Sequence, residues 1–307
     1  MKRLRKASAA SVQRSIPELR AALLAWYRMH GRAWLPWRSA GDPYRVLVSE
    51  FMLQQTQVDR VAAAYERFVA AYPSFSALAS ASRADVVRAW KGLGYNMRAV
   101  RLHEVARAVM SEHGGELPRE SEALRALPGI GAYTAGAIRV FAFDLDDVAI
   151  DVNVRRVVHR LCFGIEHPPL ASANDLDATA RKLLPPGESH AWNSALMDLG
   201  AMVCTARSPS CERCPVRSWC VAAPAGPARI ADAAKMRVRR GGPQTRLPFE
   251  ATRRFIRGRV LDRLRELEAG ALLPAAEIES HYPVEEIVRG LERDGLIVRE
   301  AGGIRLR

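Results

Sequence analysis

The chain has 307 residues, 49% of them hydrophobic, and a formal net charge of +13 at pH 7 from 46 Lys and Arg against 33 Asp and Glu. That length can bury a full core and hold two domains or more, and the hydrophobic share is that of ordinary globular material. No apolar run reaches the length of a signal peptide or a membrane span, so a cytoplasmic protein is expected, and the positive field favours polyanionic partners.

Residues 1–14 read as a basic tail, and Met1 to Arg20 carries six Lys or Arg against one Glu. Ser15-Ile16-Pro17-Glu18 opens a helix as a capping box, and Leu19, Leu23, Trp26 and Tyr27 recur at helical spacing up to Gly31. From Tyr44 to Ala142 the pattern predicts short helices: Val46 to Gln55, Val58 to Ala71, Ala84 to Trp90, Met97 to Ser111, Ser121 to Leu127 and Tyr133 to Phe143. Tyr72-Pro73, Gly92-Leu93-Gly94 and Gly114-Gly115 are the turn signals between them. No β-alternation precedes residue 290, so the body is expected to be all-α, without a helical repeat of fixed period.

After Cys220 the composition shifts to Ala, Pro, Gly and Arg, and residues 221–250, with six basic side chains against two acidic ones, read as a linker. Residues 251–307 then show Ile256, Val260, Leu264 and Leu267 on one helical face, a second helix over Pro274 to Ser280, and a third through Ile287, Val288 and Leu291 that ends at Gly295. Leu296-Ile297-Val298 and Ile304-Arg305-Leu306, joined by Ala301-Gly302-Gly303, close the chain as a hairpin. That order predicts a small winged-helix-like α+β unit.

Four groups of residues carry chemistry. Cys204, Cys211, Cys214 and Cys220 fall within seventeen residues as C-x6-C-x2-C-x5-C. In a reducing compartment thiols so close are ligands rather than disulfides, and both zinc and an iron–sulfur cluster fit the spacing. The fifth cysteine, Cys162, lies in an apolar run and reads as a core thiol. In Leu127-Pro128-Gly129-Ile130-Gly131 a helix stops, glycines turn the chain, and a new helix opens with its free N–H groups outward; this holds a phosphate, or serves as a packing turn. Twenty residues on, Asp151-Val152-Asn153-Val154 follows an apolar run, so Asp151 is an N-cap or a functional anion. Glu50 interrupts an apolar helix, where desolvation would favour the protonated form that a general acid requires, unless it is a surface residue.

Taken together, Leu35-Pro36-Trp37, Ser49-Glu50, Met52 to Val58, Gly92-Leu93-Gly94-Tyr95, the hairpin from Leu127 to Ala137, Asp151-x-Asn153-Val154, Met197-Asp198-Leu199-Gly200-Ala201 and the four cysteines resemble the MutY-type adenine DNA glycosylases. That family belongs to the helix-hairpin-helix superfamily that includes endonuclease III, and the resemblance covers about residues 20–222 in unbroken order. It implies a catalytic region over 15–220, divided into a six-helix core at about 44–145 and a cluster domain from the N-terminal helix and 146–220. It also implies a [4Fe–4S] cluster on Cys204, Cys211, Cys214 and Cys220 rather than zinc. The implied substrate is double-stranded DNA holding adenine opposite 8-oxoguanine or guanine, cleaved by a monomer with no part in membranes. Glu50 matches the acid that protonates the leaving base, Asp151 the group that stabilises or attacks the oxocarbenium-like sugar, and Asn153 stands beside it. Tyr133 stands where bifunctional relatives carry the Schiff-base lysine, which implies a monofunctional enzyme that leaves an abasic site. Gln55 and Tyr95 match the wedge that holds the duplex open, with Leu53, Gln54 and Thr56 close by. Leu35, Trp37, Arg38, Gly129, Gly131 and Arg207 complete the expected DNA-binding set, and Arg213 and Arg217 lie on the same cysteine loop.

Asn96 departs from the family pattern, where a second tyrosine is common, as do Val152, in place of a glycine, and Ser194, in place of a base-contacting Gln or Glu. Residues 251–307 are too few for the Nudix-like domain of many relatives, which fits the family's shorter form. Arg253, Arg254, Arg257 and Arg259 make the tail a candidate replacement clamp on the lesion. Two other readings of the chain are a thymine or uracil mismatch glycosylase on the same scaffold and a non-catalytic DNA-binding protein.

Overall fold

The computed structural model describes residues 16–38, 41–166, 170–239 and 248–307. The basic tail at 1–14 and Ser15 of the expected capping box lie outside the described residues. Among the described residues no helix is long and apolar enough to cross a membrane. The chain falls into two compact units, the first containing residues 16–38 and 132–239, the second 41–131 and 248–307.

The first unit contains α1 (Ile16–His30), which opens the described chain; its other helices come later in sequence. In the second unit, α2 (Pro43–Leu53) starts where Asp42 accepts from the N–H of Tyr44 at 2.8 Å and Pro43 supplies the preset first turn. It is followed by α3 (Val58–Ala71), α4 (Phe75–Ser80), α5 (Arg83–Ala89), α6 (Met97–Glu112) and α7 (Ser121–Ala126). Helix α4 was not foreseen, because six residues capped by Ser74 are too short to show a period. Phe51, Phe68 and Trp90 are wholly buried at the centre of these helices, with the Phe68 and Trp90 rings edge to face at 5.6 Å.

Returning to the first unit, the chain continues through α8 (Ala132–Phe143), α9 (Val152–Cys162), α10 (Ala173–Leu183), α11 (Ser189–Met202) and α12 (Gly226–Arg239). Leu19 and Leu23 of α1 share a core with Val154, Val157 and Leu161 of α9, Leu176 of α10, and Trp192 and Leu196 of α11. Arg20 fastens α1 to the end of α10 by donating to the carbonyls of Lys182, Leu183 and Leu184 at 3.0, 2.9 and 2.7 Å. Helix α12 occupies part of the stretch expected as a linker: Ile230 is buried, so an Ala-rich composition there covers a packed helix. Within that stretch, residues 240–247 lie outside the described residues.

The second unit closes with α13 (Arg253–Glu266), α14 (Val284–Arg293), β1 (Ile297–Glu300) and β2 (Gly303–Leu306), the strands antiparallel from Ile297 opposite Leu306 to Glu300 opposite Gly303. The middle helix expected over Pro274 to Ser280 is instead one 3₁₀ turn, Ala275–Glu277. Leu273 exchanges both backbone hydrogen bonds with Ile304, at 2.8 and 2.9 Å, which keeps the approach to this segment extended. Ile256, Val260, Leu291 and Ile304 share a core cluster with Val87 of α5 and Val100 of α6, so the tail packs on the helices rather than standing apart.

Candidate active site and cluster loop

Asp151 is the N-cap of α9. Its Oδ1 accepts from the N–H groups of Asn153 and Val154 at 2.8 and 2.7 Å, and its Oδ2 accepts from the side-chain amide of Asn153 at 2.8 Å. Both oxygens are acceptors, so the side chain is arranged as an anion. The structure thus shows the capping reading of the sequence at Asp151. Asn153 is fixed in turn, because its Oδ1 accepts from Arg156 at 2.8 Å, and Arg156 also donates to the carbonyls of Gly200 and Cys204 at 2.6 and 2.7 Å. Gly200 must be glycine here: a Cβ would lie 2.7 Å from that of Asn153. Val152, the departure beside Asp151, points into solvent at 75% exposure and disturbs none of this.

The loop before Asp151 hangs from α11. Asn193 donates to the carbonyl of Asp147 at 3.0 Å and accepts from the N–H of Ala149 at 2.8 Å. Burial works against ionisation of Asp147, but hydrogen bonds from Arg139 and the Val148 N–H, and the charge of Arg181, hold its carboxyl below the usual value. Ser194 is wholly buried with its hydroxyl unpartnered, so as it stands it presents nothing to a base.

Asp198 explains the Met-Asp-Leu-Gly motif. It is completely buried, accepts from the Arg32 N–H at 2.8 Å, and pairs with the Arg32 and Arg38 guanidinium groups at 2.7 and 3.0 Å. Leu35 and Trp37 are buried in the loop so held, and Arg38 is committed to Asp198; it is Trp34, 67% exposed, that faces water. Tyr133, the second residue of α8, is half-buried.

In the second unit Glu50 lies on α2 between Ser49 and Phe51 and is only 6% exposed. Gln54, Gln55, Thr56 and Tyr95 line one cleft, which Leu53 does not join. Gln55 and Tyr95 adopt left-handed backbone angles, φ 56° and 45°, that side-chain-bearing residues rarely hold. Arg98, whose part sequence reasoning missed, supports both. One of its terminal nitrogens donates to the carbonyls of Phe51, Met52 and Gln54 at 2.8, 2.7 and 2.6 Å; the other reaches Thr56 Oγ1 and the carbonyls of Leu93 and Gly94 at 2.9, 2.9 and 3.1 Å. Burial lowers its pKa to about 10, still far above neutrality. In the hairpin turn, Gly129 has φ 78° and a Cβ there would lie 2.9 Å from Arg101, whereas a Cβ on Gly131 would meet nothing within 4 Å.

The four cysteines share one cavity with Arg160, Val203 and Ile230. Burial and the neighbouring sulfurs push the Cys214 thiol up to about 12 and raise those of Cys211 and Cys220 as well. Such a set suits a group that supplies positive charge to all the sulfurs at once, as iron does. Arg160, its side chain 2% exposed, donates to Cys204 Sγ at 3.6 Å and to the Thr205 and Ala206 carbonyls at 2.7 and 3.2 Å. Arg207, Arg213 and Arg217 are exposed on this loop.

Residues 48–186 match the family described as HhH-GPD superfamily base excision DNA repair protein, and residues 204–220 match the iron-sulfur binding domain of endonuclease III. The adenine DNA glycosylase of Mycolicibacterium smegmatis is 42% identical over 285 residues, which span 92% of this chain and 93% of that protein. The chain belongs to the adenine DNA glycosylase family. Among solved structures, a thermostable thymine-DNA glycosylase matches with a TM-score of 0.65 at 30% identity, over 70% of this chain and 99% of the other. A non-covalent endonuclease III–DNA complex matches in fold with a TM-score of 0.57 at 22% identity, over 73% of this chain and 98% of the other. The helix-hairpin-helix glycosylase fold and a [4Fe–4S] cluster are thus features of this family member, and the cluster match begins at Cys204 and ends at Cys220.

Proposed function

We propose that this protein is a monofunctional glycosylase that extrudes adenine mispaired with 8-oxoguanine or guanine from double-stranded DNA and removes it by hydrolysis. The observation that carries the reading is the burial of a single acid, Glu50 at 6% exposure, in an apolar helix of a chain that aligns along almost its whole length with an adenine glycosylase. Buried there, Glu50 donates its proton to the ring of the leaving adenine, so the electron pair of the breaking glycosidic bond departs on a neutral base. Asp151, held by its three donors, offers negative charge to the oxocarbenium-like sugar; water adds at the anomeric carbon and its proton returns to the Glu50 carboxylate, which restores the acid. Asn153 orients Asp151. Tyr133 has no amine to form a Schiff base, so the product is an abasic site in an unbroken strand.

Gln55 and Tyr95 wedge the duplex, Gln54 and Thr56 stand beside them, and Leu53, Leu35, Trp37 and Arg38 shape the surroundings of the extruded base. Gly129, Gly131 and Arg207 meet the backbone. Cys204, Cys211, Cys214 and Cys220 hold the cluster, which orders its loop when bound. The enzyme acts as a monomer.

The likeness to a thymine-DNA glycosylase supports a second reading, removal of a mismatched pyrimidine on the same scaffold. Incubating the purified protein with labelled duplexes holding A:8-oxoguanine, A:G, T:G or U:G, then treating with alkali, separates the two. Breaks are expected only at the adenines, and only after alkali; breaks confined to T:G or U:G would establish the second reading instead. Glu50→Gln is expected to abolish excision while binding survives. Asp151→Asn keeps the backbone cap but sets an amide NH2 against that of Asn153, so it is expected to cut the rate by roughly 10²-fold or more with a stability loss of about 1–2 kcal/mol.

A further inference from the structure

The C-terminal segment reaches the wedge loop directly. Asn96, which departs from the family pattern, accepts from Arg265 of α13 at 2.6 Å, and Arg265, its side chain 4% exposed, also donates to the Val87 carbonyl at 3.0 Å. One residue earlier, the Tyr95 ring lies under the guanidinium of Arg254, 3.6 Å from the ring centroid, with Arg98 at 5.6 Å. Between α13 and the loops at 54–57 and 92–98 runs an open cleft of about 880 Å³. Seven arginines line it against one acid, Asp262, which is paired with Arg265.

The four arginines at the start of α13 are not equivalent. Arg253 pairs with Glu286, and Arg257 with Asp294. Among the described residues Arg254 and Arg259 have no ion-pair partner, and both line the cleft. A cationic groove beside a partly exposed aromatic ring, 38% exposed at Tyr95, suits a nucleic-acid strand: cations for phosphates and a ring face for a base.

We propose that this cleft grips a strand of the duplex substrate and that Arg254 is a positioning residue within it. In the free protein its guanidinium rests on Tyr95; when DNA enters, it turns to a backbone phosphate and uncovers the ring for a base. Arg259 supplies a second phosphate contact. The proposal rests on the DNA glycosylase reading above and gives the tail a general backbone grip rather than a lesion-reading role.

Truncating the tail is a poor test, since it would uncover Val87 and Val100. The test uses the full-length protein with Arg254→Ala, Arg254→Lys, Arg259→Ala and the control Arg289→Ala, whose side chain is exposed, paired with Glu285 and outside the cleft lining. Affinity for a duplex with a non-hydrolysable deoxyadenosine analogue opposite 8-oxoguanine is measured across a salt series, with thermal melting and the fluorescence of a 2-aminopurine at the adenine position. Arg254→Ala is expected to weaken binding about tenfold, to reduce the slope of log Kd against log salt by about one, and to dim the 2-aminopurine signal. Arg254→Lys should restore the slope; Arg259→Ala should lower it; Arg289→Ala should change nothing. An unaltered slope with Arg254→Ala, with or without a lowered melting temperature, would reduce the stack to a packing contact and overturn the proposal. An equal loss with Arg289→Ala would overturn it too, by making the effect one of bulk charge. Failure of the parent protein to excise any adenine would count against the proposed activity alone, because the salt slope is read without turnover.

Discussion

The two glycines of the hairpin turn separate a demand of folding from a demand of binding. Gly129 needs its missing Cβ within the free protein: its φ is 78°, and a methyl group would press on Arg101. Gly131 has neither constraint, with open space where a Cβ would go and no left-handed backbone. A glycine that the fold does not require leaves room for something that approaches from outside, and on the proposed reading a DNA backbone against the first N–H groups of α8 is that object. Gly129→Ala is therefore expected to destabilise the protein by ~1–2 kcal/mol. Gly131→Ala should melt with the parent yet bind duplex several-fold more weakly, as compared by urea unfolding and fluorescence anisotropy. Equal affinity for Gly131→Ala would remove the argument that DNA comes close at that point.

At the level of elements, the loop after α2 and the loop before α6 are held together by one guanidinium. Arg98 meets six acceptors, five of them backbone carbonyls, and a lysine has three donors to offer and no planar fork. Arg98→Lys is expected to cost ~2–3 kcal/mol in urea unfolding, because buried carbonyls are left without donors, and to lower excision through misplaced Gln55 and Tyr95. A variant with full stability would show that water replaces the lost bonds. Nothing in the sequence announced this residue. Its partners lie as far as 47 positions away and all but the Thr56 hydroxyl are main-chain atoms, which carry no residue identity to read. The cysteine set was legible because its chemistry resides in side chains at fixed intervals, whereas the roles proposed for Glu50 and Asp151 rest on the resemblance. Helix α12 was hidden for a different reason: Ala, Pro, Gly and Arg are also what a linker is made of, and only the burial of Ile230 distinguishes the two. The turn at Ala275–Glu277 was read as a helix because the extended pairing of Leu273 with Ile304 is a long-range contact. Arg265 on Asn96 likewise joins positions 169 apart, so Asn96 read as a mere exception until its partner was seen.

Across the whole molecule, the cysteine loop and the candidate catalytic carboxylate are joined by an unbroken set of hydrogen bonds inside the first unit. Asp151 accepts from the Asn153 amide, whose oxygen accepts from Arg156, which donates to the Cys204 carbonyl; Arg160 holds the next two carbonyls of the loop. Val216, between the third and fourth cysteines, packs into the same core as α9 and α11. The cluster needs no part in the bond-breaking step to matter for it, since a loop that loses its cluster gives up the fixed acceptor for Arg156, and with it the fixed orientation of Asp151. Cys214→Ser is expected to lower the iron content and the melting temperature and to reduce single-turnover excision by about tenfold or more, an effect of displacing a positioned group. Binding to duplex should fall less, because the cleft proposed to grip DNA, lined by the loops at 54–57 and 92–98, lies in the other unit. Arg156→Gln provides the control, leaving all four thiolates in place while breaking the link: it should retain iron and still lose rate. An iron-free Cys214→Ser protein that excises at the parent's rate would show that the orientation of Asp151 is set by α9 and α11 alone.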